Sequence, residues 1–252
     1  MPIIQCDATG LEIYAGAYLS KDSVMKEELR AGLDIHGLNQ KALNLPEGDI
    51  GRLIAKIFIF RLMYGGSAYA YSTDTLFMQV SESEKYWQKV IDAFYDKYKG
   101  FRDWHRQILR DATRDGYLMM PTGRRYNFSL VRDFRGELKA PQTTIKNYPV
   151  QGLGADIMAI ARVSFKRRFD ASGYTHRPNS ITGVSIGTVH DSIVCDVSSD
   201  LVEKVARVFH DVFNDLPNNF KRVFGVEFDL PLRCKVSVGP NMMDMEEYKI
   251  AA

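Results

Sequence analysis

The sequence lacks the features that mark membrane-spanning and secreted chains. No apolar run in its 252 residues approaches the ~18 residues that a membrane span needs. Residues 1–7 show neither the basic start nor the apolar stretch of a secretory signal. We therefore expect a cytoplasmic protein without a membrane partner.

Cysteine is scarce. Cys6, Cys195 and Cys234 are an odd number and show no CxxC spacing. This pattern favours small buried hydrophobic side chains in a reducing compartment over a zinc site or a disulfide framework.

Neither sign of charge dominates, because 33 basic and 31 acidic residues give a net charge of +2. Binding to a polyanion would therefore depend on local clusters. Arg124-Arg125 is one basic cluster, and Arg162 with Lys166, Arg167 and Arg168 is another. Taken alone, each cluster is compatible with a solvated face or with phosphate contact.

Helical patterns fill the middle of the chain, and most strand patterns lie toward its ends. Helices are predicted for residues 10–19, 34–45, 50–64, 84–99, 101–114, 141–169 and 201–213, with Asp49 as a cap and Gly100 as a stop. Strands are predicted for residues 3–7, 117–120, 184–189, 193–197 and 228–238, and those flanking His190-Asp191-Ser192 form a hairpin. The sequence therefore predicts an α+β fold in which the two ends of the chain build one sheet.

Two carboxylates are placed where these predicted strands would meet. Asp7 ends the first strand, and Asp191 lies in the hairpin turn. If the strands pair, the acids converge, and two facing carboxylates favour bridging cations. A pair of divalent ions is the arrangement used for displacement at phosphorus. Alternatively, Asp191 is only a turn residue and Asp7 only a strand terminator.

The predicted helix from residue 50 repeats Arg52, Lys56, Phe60 and Tyr64 at intervals of four. Such spacing places the four side chains along one slowly drifting stripe about 18 Å long. Two cations followed by two rings match a nucleotide with a triphosphate at one end and a base at the other. The alternative is an amphipathic core helix with a basic start, although cations there oppose the helix dipole unless an anion is bound.

Three segments resemble the three motifs of family A DNA polymerases, the group that includes bacterial DNA polymerase I and several bacteriophage replicases. Asp7-Ala8-Thr9-Gly10-Leu11-Glu12 is similar to motif A, Arg52-x3-Lys56-x3-Phe60-x3-Tyr64-Gly65 to motif B, and Val189-His190-Asp191 to motif C. Their order and separation also fit, and so do Asp34-Ile35-His36, Gly123-Arg124-Arg125, Asn147-x3-Gln151 and Gly239-Pro240-Asn241. The residues of motif A, Asp-Ala-Thr-Gly-Leu-Glu, favour the bacteriophage branch of the family.

The resemblance implies a role for each matching residue. Asp7 and Asp191, helped by the carbonyl of Ala8, would bind two magnesium ions. Arg52 and His36 would bind the outer phosphates of the nucleotide, and Lys56 would hold the reacting phosphate. Phe60 and Tyr64 would frame the base pair. Glu12 would lie under the sugar and exclude a 2′-hydroxyl. Primer–template DNA would be contacted by Arg125, Asn147, Gln151 and His190. For the two histidines, a place in the core is the alternative.

The resemblance also implies an architecture. Residues 1–22 and 141–252 would form an antiparallel palm sheet with helices, and residues 23–140 an inserted, mostly helical fingers subdomain. Only six residues precede Asp7, so we expect the thumb and exonuclease regions on a separate polypeptide that assembles with this chain. An excised product of a longer precursor is the alternative. The cell would be bacterial or phage-infected.

Some positions depart from the family pattern. Ser192 stands where motif C usually continues with Glu. Because both metal-binding acids are retained, we expect activity with an altered metal affinity. Thr143 and Tyr14 stand where relatives often carry Arg. Phe60, where some relatives carry Tyr, implies discrimination against nucleotides lacking a 3′-hydroxyl.

Two other functions remain open. A non-catalytic nucleic-acid-binding or assembly subunit would keep the fold without turnover, although such a module gains nothing from paired metal-binding acids. An RNA polymerase of related fold is disfavoured, because Glu12 occupies the sugar-gating position.

Overall fold

The protein is described from a computed structural model that covers residues 1–132, 135–136, 138–173, 176–177 and 180–250. The helices of these residues are α1 Leu11–Ser20, α2 Ser23–Arg30, α3 Ile35–Ala42, α4 Gly48–Met63, α5 Ala68–Ser72, α6 Thr75–Met78, α7 Glu84–Lys97, α8 Lys99–Asp115, α9 Gln142–Ala171, α10 Val202–Asn214 and α11 Leu216–Phe224, with a 3-10 turn at Ser199–Leu201. The strands are β1 Ile3–Ala8, β2 Tyr117–Met119, β3 Arg125–Asn127, β4 Val131–Arg132, β5 Leu138–Lys139, β6 His176–Arg177, β7 Ser180–Ile181, β8 Gly183–Val189, β9 Ser192–Val197, β10 Cys234–Gly239 and β11 Glu246–Glu247.

The chain divides into two compact units. One comprises Met1–Leu11 and Gly154–Ala252, and the other comprises Glu12–Leu153. The palm and fingers boundaries predicted from the sequence, at residues 22 and 140, stay a prediction.

The first unit is built on an antiparallel sheet with the strand order β11-β10-β1-β9-β8. Its central strand comes from the start of the chain and pairs with β9 and β10 from the end. Ile4, Cys6 and Ala8 alternate with more exposed residues and are buried, as expected for a strand with one face on a core. Beneath it, Phe165 of α9 stacks on Phe209 of α10 at 4.3 Å between ring centroids. The predicted α+β fold with an antiparallel sheet is confirmed.

The second unit is mostly helical. An aromatic core joins α4, α5 and α7, with the Phe58 and Tyr71 rings 5.0 Å apart and Tyr71 5.6 Å from Trp87. All three side chains are fully buried. Because large aromatic rings bury the most apolar area per residue, this cluster fixes the inner face of α4.

Some predicted boundaries are wrong. Helix α4 begins at Gly48 after Glu47, so Asp49 lies in its first turn instead of capping it. Gly100 does not end a helix, because α7 stops at Lys97 and α8 starts at Lys99. The predicted strand at 228–238 begins only at Cys234. Pro231 lacks the N–H that a ladder requires.

The segment that was expected to be a strand is nevertheless part of the core. Phe228, Leu230 and Leu232 are buried, so their alternation reflects packing without strand pairing. Among the described helices, none combines the length and apolar character that crossing a bilayer requires.

Candidate active site

The backbone of the five-stranded sheet brings Asp7 and the turn that holds Asp191 together. Strand β1 pairs with β9 so that Asp7 lies opposite Ser192. The amide of Ala8 donates a hydrogen bond to the carbonyl of Asp191 at 3.0 Å. His190 and Asp191 form the two-residue turn between β8 and β9, with His190 in the left-handed region at a φ of 53°. The convergence expected from the sequence is therefore present in the backbone.

The carboxylate of Asp7 has a side-chain partner of its own. Ser192 Oγ donates to Asp7 Oδ2 at 2.6 Å, and Gln5 Nε2 donates to Ser192 Oγ at 2.9 Å. Ser192 is only 3% exposed. Sequence reasoning missed Gln5; its place two residues before Asp7, on the same face of β1, is the signal that could have identified it.

The donor set around the turn suits magnesium. Asp7 and Asp191 offer carboxylate oxygens, both half-buried, and Ala8 adds a carbonyl on the same strand. Hard oxygen donors are what Mg²⁺ prefers, usually one or two carboxylates completed by water and substrate oxygens. The residues present thus fit the ion that the family resemblance implies.

Helix α4 presents the predicted stripe away from its core. Ile54, Phe58 and Leu62 on one face are buried. Arg52 and Lys56 are exposed, whereas Phe60 and Tyr64, the residue that ends the helix, are half-buried. Lys56 Nζ lies 6.0 Å from the centroid of the Phe60 ring. The stripe is therefore an accessible surface and not a second core face.

An anion within the chain already faces Arg52. Its guanidinium donates to both carboxylate oxygens of Asp34, at 3.0 and 3.1 Å. The hydrogen bond from Arg52 holds the pKa of Asp34 below its usual value. The basic start of α4 therefore does not require an external anion, because Asp34 supplies a negative charge from within the chain.

His36 lies beside the stripe in a form that carries no charge at neutral pH. Its ring centroid is 5.7 Å from that of Phe60. Burial lowers the pKa of His36 to about 4, although the Asp34 carboxylate opposes this. Its Nδ1 is buried without a hydrogen-bond partner. A neutral imidazole can donate one hydrogen bond to a phosphate but adds no positive charge.

Glu12, Tyr64 and Gln151 form a polar group in the second unit. Gln151 Nε2 donates to the hydroxyl of Tyr64. Burial, followed by the charge of Glu12, raises the pKa of Tyr64 to about 12. The Tyr64 hydroxyl therefore stays protonated at neutral pH and can donate in turn. Residues predicted to contact base, sugar and DNA are thus neighbours.

The other predicted DNA contacts are accessible to different degrees. Arg125 is exposed, with its guanidinium carbon 3.9 Å from the Tyr117 ring centroid and its Nε donating to Asn127 at 2.9 Å. Asn147 is half-buried in α9, one turn before Gln151, and His190 is exposed in its turn. The stacking of Arg125 holds its charge in a fixed position.

The chain belongs to DNA polymerase family A, whose family model matches residues 1–244. It is 28% identical over 244 residues to DNA polymerase I of Pseudomonas aeruginosa, covering 95% of this chain and 24% of that protein. It is 26% identical over 246 residues to DNA polymerase I of Chloroflexus aurantiacus, covering 96% of this chain and 24% of that protein.

The fold is similar to that of the POL domain of Pol1 from M. smegmatis, solved in complex with DNA primer-template and dNTP. The TM-score is 0.76 at 23% identity, over 96% of this chain and 40% of that one. The chain spans about a quarter of the length of the curated relatives that it matches. The predicted bacteriophage branch stays a prediction.

Proposed function

We propose that this chain is the catalytic part of a template-directed DNA polymerase, which adds deoxynucleotides to the 3′ end of a primer. The observation that carries the proposal is the pairing of β1 with β9, which sets Asp7 beside the turn that holds Asp191. The chain belongs to family A, and we take these two residues to be the acids of its motifs A and C.

Asp7, Asp191 and the carbonyl of Ala8 would hold two magnesium ions. When bound, such ions activate the primer hydroxyl and stabilise the departing pyrophosphate. Asp7 lies on β1 and Asp191 in the turn bonded to that strand, so the sheet would hold both carboxylates in place with little reorganisation, which is the basis of electrostatic catalysis.

The accessible stripe of α4 supports a nucleotide site. Lys56 would hold the reacting phosphate and protonate the leaving pyrophosphate, with Arg52 and neutral His36 at the outer phosphates. Phe60 and Tyr64 would frame the new base pair. The Arg52–Asp34 pair is about half exposed on both sides, and such exposed pairs contribute only about 0–1 kcal/mol. A phosphate can therefore displace Asp34 at little cost.

Glu12 would lie under the sugar and reject a 2′-hydroxyl, and the effect of its charge on the pKa of Tyr64 supports this role. Gln151, Asn147, Arg125 and His190 would contact primer–template DNA. We assign residues 1–22 and 141–252 to a palm and 23–140 to a fingers subdomain.

The chain matches about a quarter of the length of its relatives, so we propose that it acts together with thumb and exonuclease regions. Their presence on a separate polypeptide stays a prediction. A thumb would add phosphate contacts, which supply much of the affinity for DNA. Titration of thumb-bearing candidate chains into a primer-extension assay tests this, and full processive activity of this chain alone would contradict it.

Substitution of Asp191 by Asn tests the catalytic proposal. Loss of a ligand that contributes several kcal/mol should lower extension of a labelled primer with Mg²⁺ by about a thousandfold or more. Asp200→Asn, an exposed acid in the 3-10 turn, is the matched control. If the parent chain incorporates nothing with every candidate partner present, the non-catalytic binding subunit is the better reading.

A further inference from the structure

Ser192 occupies the position where the family pattern has a Glu, and the structure gives it a contact. It lies opposite Asp7 in the pairing of β1 with β9. Directly opposed residues on antiparallel strands point to the same face of a sheet. Gln5, two residues before Asp7, also shares that face. Gln5, Asp7 and Ser192 therefore meet on one side of the central strand pair.

The hydrogen bonds in this group have a defined direction. An ionised carboxylate only accepts, so the hydrogen of Ser192 Oγ must go to Asp7 Oδ2, 2.6 Å away. The amide of Gln5 must then donate to Ser192 Oγ, at 2.9 Å. The first distance is typical of charge-assisted O–H···O⁻ bonds. Ser192 is almost fully buried, so water does not compete for its hydroxyl.

We infer that Ser192 and Gln5 are positioning residues that hold the Asp7 carboxylate in the orientation needed to bind a divalent cation. The inference rests on the proposed function, because it takes Asp7 as a metal ligand. The two hydrogen bonds, from Gln5 to Ser192 and from Ser192 to Asp7, form a relay that fixes Oδ2 of Asp7. Oδ1 of Asp7 and the remaining lone pairs of Oδ2 stay available to the cation. Hydrogen bonds from such outer partners orient ligands and tune metal affinity.

A purely structural role would give a different result. Loss of a buried hydrogen bond would then lower stability alone, without a change in cation affinity at the folded site. The positioning role predicts instead that the main effect is a loss of cation affinity. Cation affinity falls because the freed carboxylate samples other rotations about its last side-chain bond.

Mn²⁺ provides a probe that does not depend on turnover. Its binding to the chain is followed by the loss of the free-ion signal in electron paramagnetic resonance, and Asp7→Asn and Asp191→Asn identify the site. Ser192→Ala should raise the Mn²⁺ dissociation constant about tenfold. Ser192→Thr retains the hydroxyl and should restore most of the affinity. Gln5→Met keeps Ser192 intact and should weaken binding less, in the same direction.

Ser237→Ala is the matched control, since Ser237 pairs with Gln5 across β10 on the same face of the sheet but lies outside the relay. It should leave Mn²⁺ binding unchanged. If Ser192→Ala lowers the thermal midpoint while Mn²⁺ affinity is unaltered, the inference is overturned. If Ser192→Ala does not fold, Gln5→Met decides, and unchanged Mn²⁺ affinity in that variant overturns the inference.

The two proposals fail separately. A parent chain whose Mn²⁺ binding requires Asp7 and Ser192, but which extends no primer with any partner, supports the positioning role and contradicts the polymerase. A parent chain with no Asp7-dependent Mn²⁺ binding overturns the positioning role. The Mg²⁺ concentration for half-maximal extension provides a second readout, which should rise in Ser192→Ala and recover in Ser192→Thr.

Discussion

The negative charge of Glu12 acts on the hydroxyl of Tyr64, and the proposed role of Glu12 in sugar selection can be tested by substitution. Glu12→Ala removes both the bulk and the charge that would face a 2′-hydroxyl. Discrimination between deoxy- and ribonucleotides should fall by about 10–200-fold, the range for one lost pocket contact. Competing single-nucleotide incorporation measures the ratio.

Tyr64→Phe is the companion variant for Glu12→Ala, because it keeps the ring and removes only the hydroxyl that Gln151 contacts. It should retain most of the sugar discrimination. An unchanged ratio in Glu12→Ala would contradict the assignment of Glu12 as the gate.

The buried side chain of His105 should make the stability of the protein depend on pH. It is 3% exposed, and its Nδ1 lies 3.0 Å from the Tyr95 hydroxyl. Burial, and then the positive charge of Lys146, lowers the pKa of His105 to about 3. The unfolded chain takes up this proton near pH 6.5, well before the folded chain does. The stabilising effect is therefore complete above pH 6.5 and is lost as pH falls toward 3.

Between neutral pH and pH 5, this histidine alone should lower the free energy of unfolding by about 2 kcal/mol. Urea unfolding of the parent and His105→Gln between pH 5 and 8 measures the effect, and the variant should show a shallower loss on acidification. His210→Gln, in the half-buried part of α10, controls for removal of a histidine elsewhere. Parallel pH curves for the parent and His105→Gln would refute the explanation.

At the residue scale, the sequence predicted site residues that recur at regular spacing or match a family motif. It could not predict which side chains those residues contact. The four-residue spacing of Arg52, Lys56, Phe60 and Tyr64 places these side chains on one accessible face of α4. By contrast, Asp34 is eighteen positions from Arg52, and Ser192 is 185 positions from Asp7. Such contacts depend on how helices and strands pack, and spacing along the chain does not encode them.

At the scale of elements, the connection between α3 and α4 leaves no room for a side chain at Gly51, which lies in the first turn of α4. A Cβ there would lie 1.6 Å from the carbonyl oxygen of Pro46 and 2.7 Å from Gln40 Nε2. The same Gln40 amide donates to the carbonyls of Pro46 and Gly48. The start of α4 is thus fixed by a close approach of backbone to backbone.

Gly51→Ala should force this turn apart and destabilise the protein by about 1–3 kcal/mol, as overpacked sites do. Because Arg52 is the next residue, the KM for nucleotide should rise as well. Urea unfolding and steady-state extension measure the two effects. Gly187→Ala is the control, since a Cβ on Gly187 meets nothing within 4 Å, and equal stability of the two variants would contradict the steric argument.

Residue patterns predicted many elements, although not α2 or α11, and a boundary was misplaced where tertiary contacts determine it. The β8–β9 hairpin and the long α9 were expected from pattern. The predicted boundary at Gly100 was two residues too late, because α7 gives way to α8 at Tyr98, which is fully buried. Its hydroxyl donates to Glu28 at 2.6 Å and accepts from Asn39 at 2.8 Å. These are long-range partners that no local signal reveals.

At the scale of the whole molecule, charge is nearly balanced, at +2, so the proposed binding to DNA would depend on local clusters of cations. The predicted α+β class and the sheet built from both chain ends follow from strand patterns at residues 3–7 and 184–197. The division into units after Leu11 and Leu153 could not be read from the sequence, because no linker composition marks either point.

Arg125 offers the sharpest test of that view of DNA binding. Counterion release makes the logarithm of affinity fall linearly with the logarithm of salt concentration, in proportion to the number of phosphates neutralised. Arg125 is exposed and held over Tyr117, so it can contact a phosphate without first losing conformational freedom. Arg125→Ala should therefore weaken binding to all sequences alike and reduce the salt slope by about one.

Fluorescence anisotropy of a labelled primer–template between 50 and 200 mM KCl, a range over which phosphate contacts change affinity strongly, gives the slope for parent and variant. Arg207→Ala is the matched control, because Arg207 is an exposed arginine on α10 whose guanidinium bonds Glu203 at 2.7 Å. Its slope should equal that of the parent. Equal slopes for Arg125→Ala and the parent would show that Arg125 neutralises no phosphate, and the DNA-contacting surface would then have to be sought among other cations of the chain.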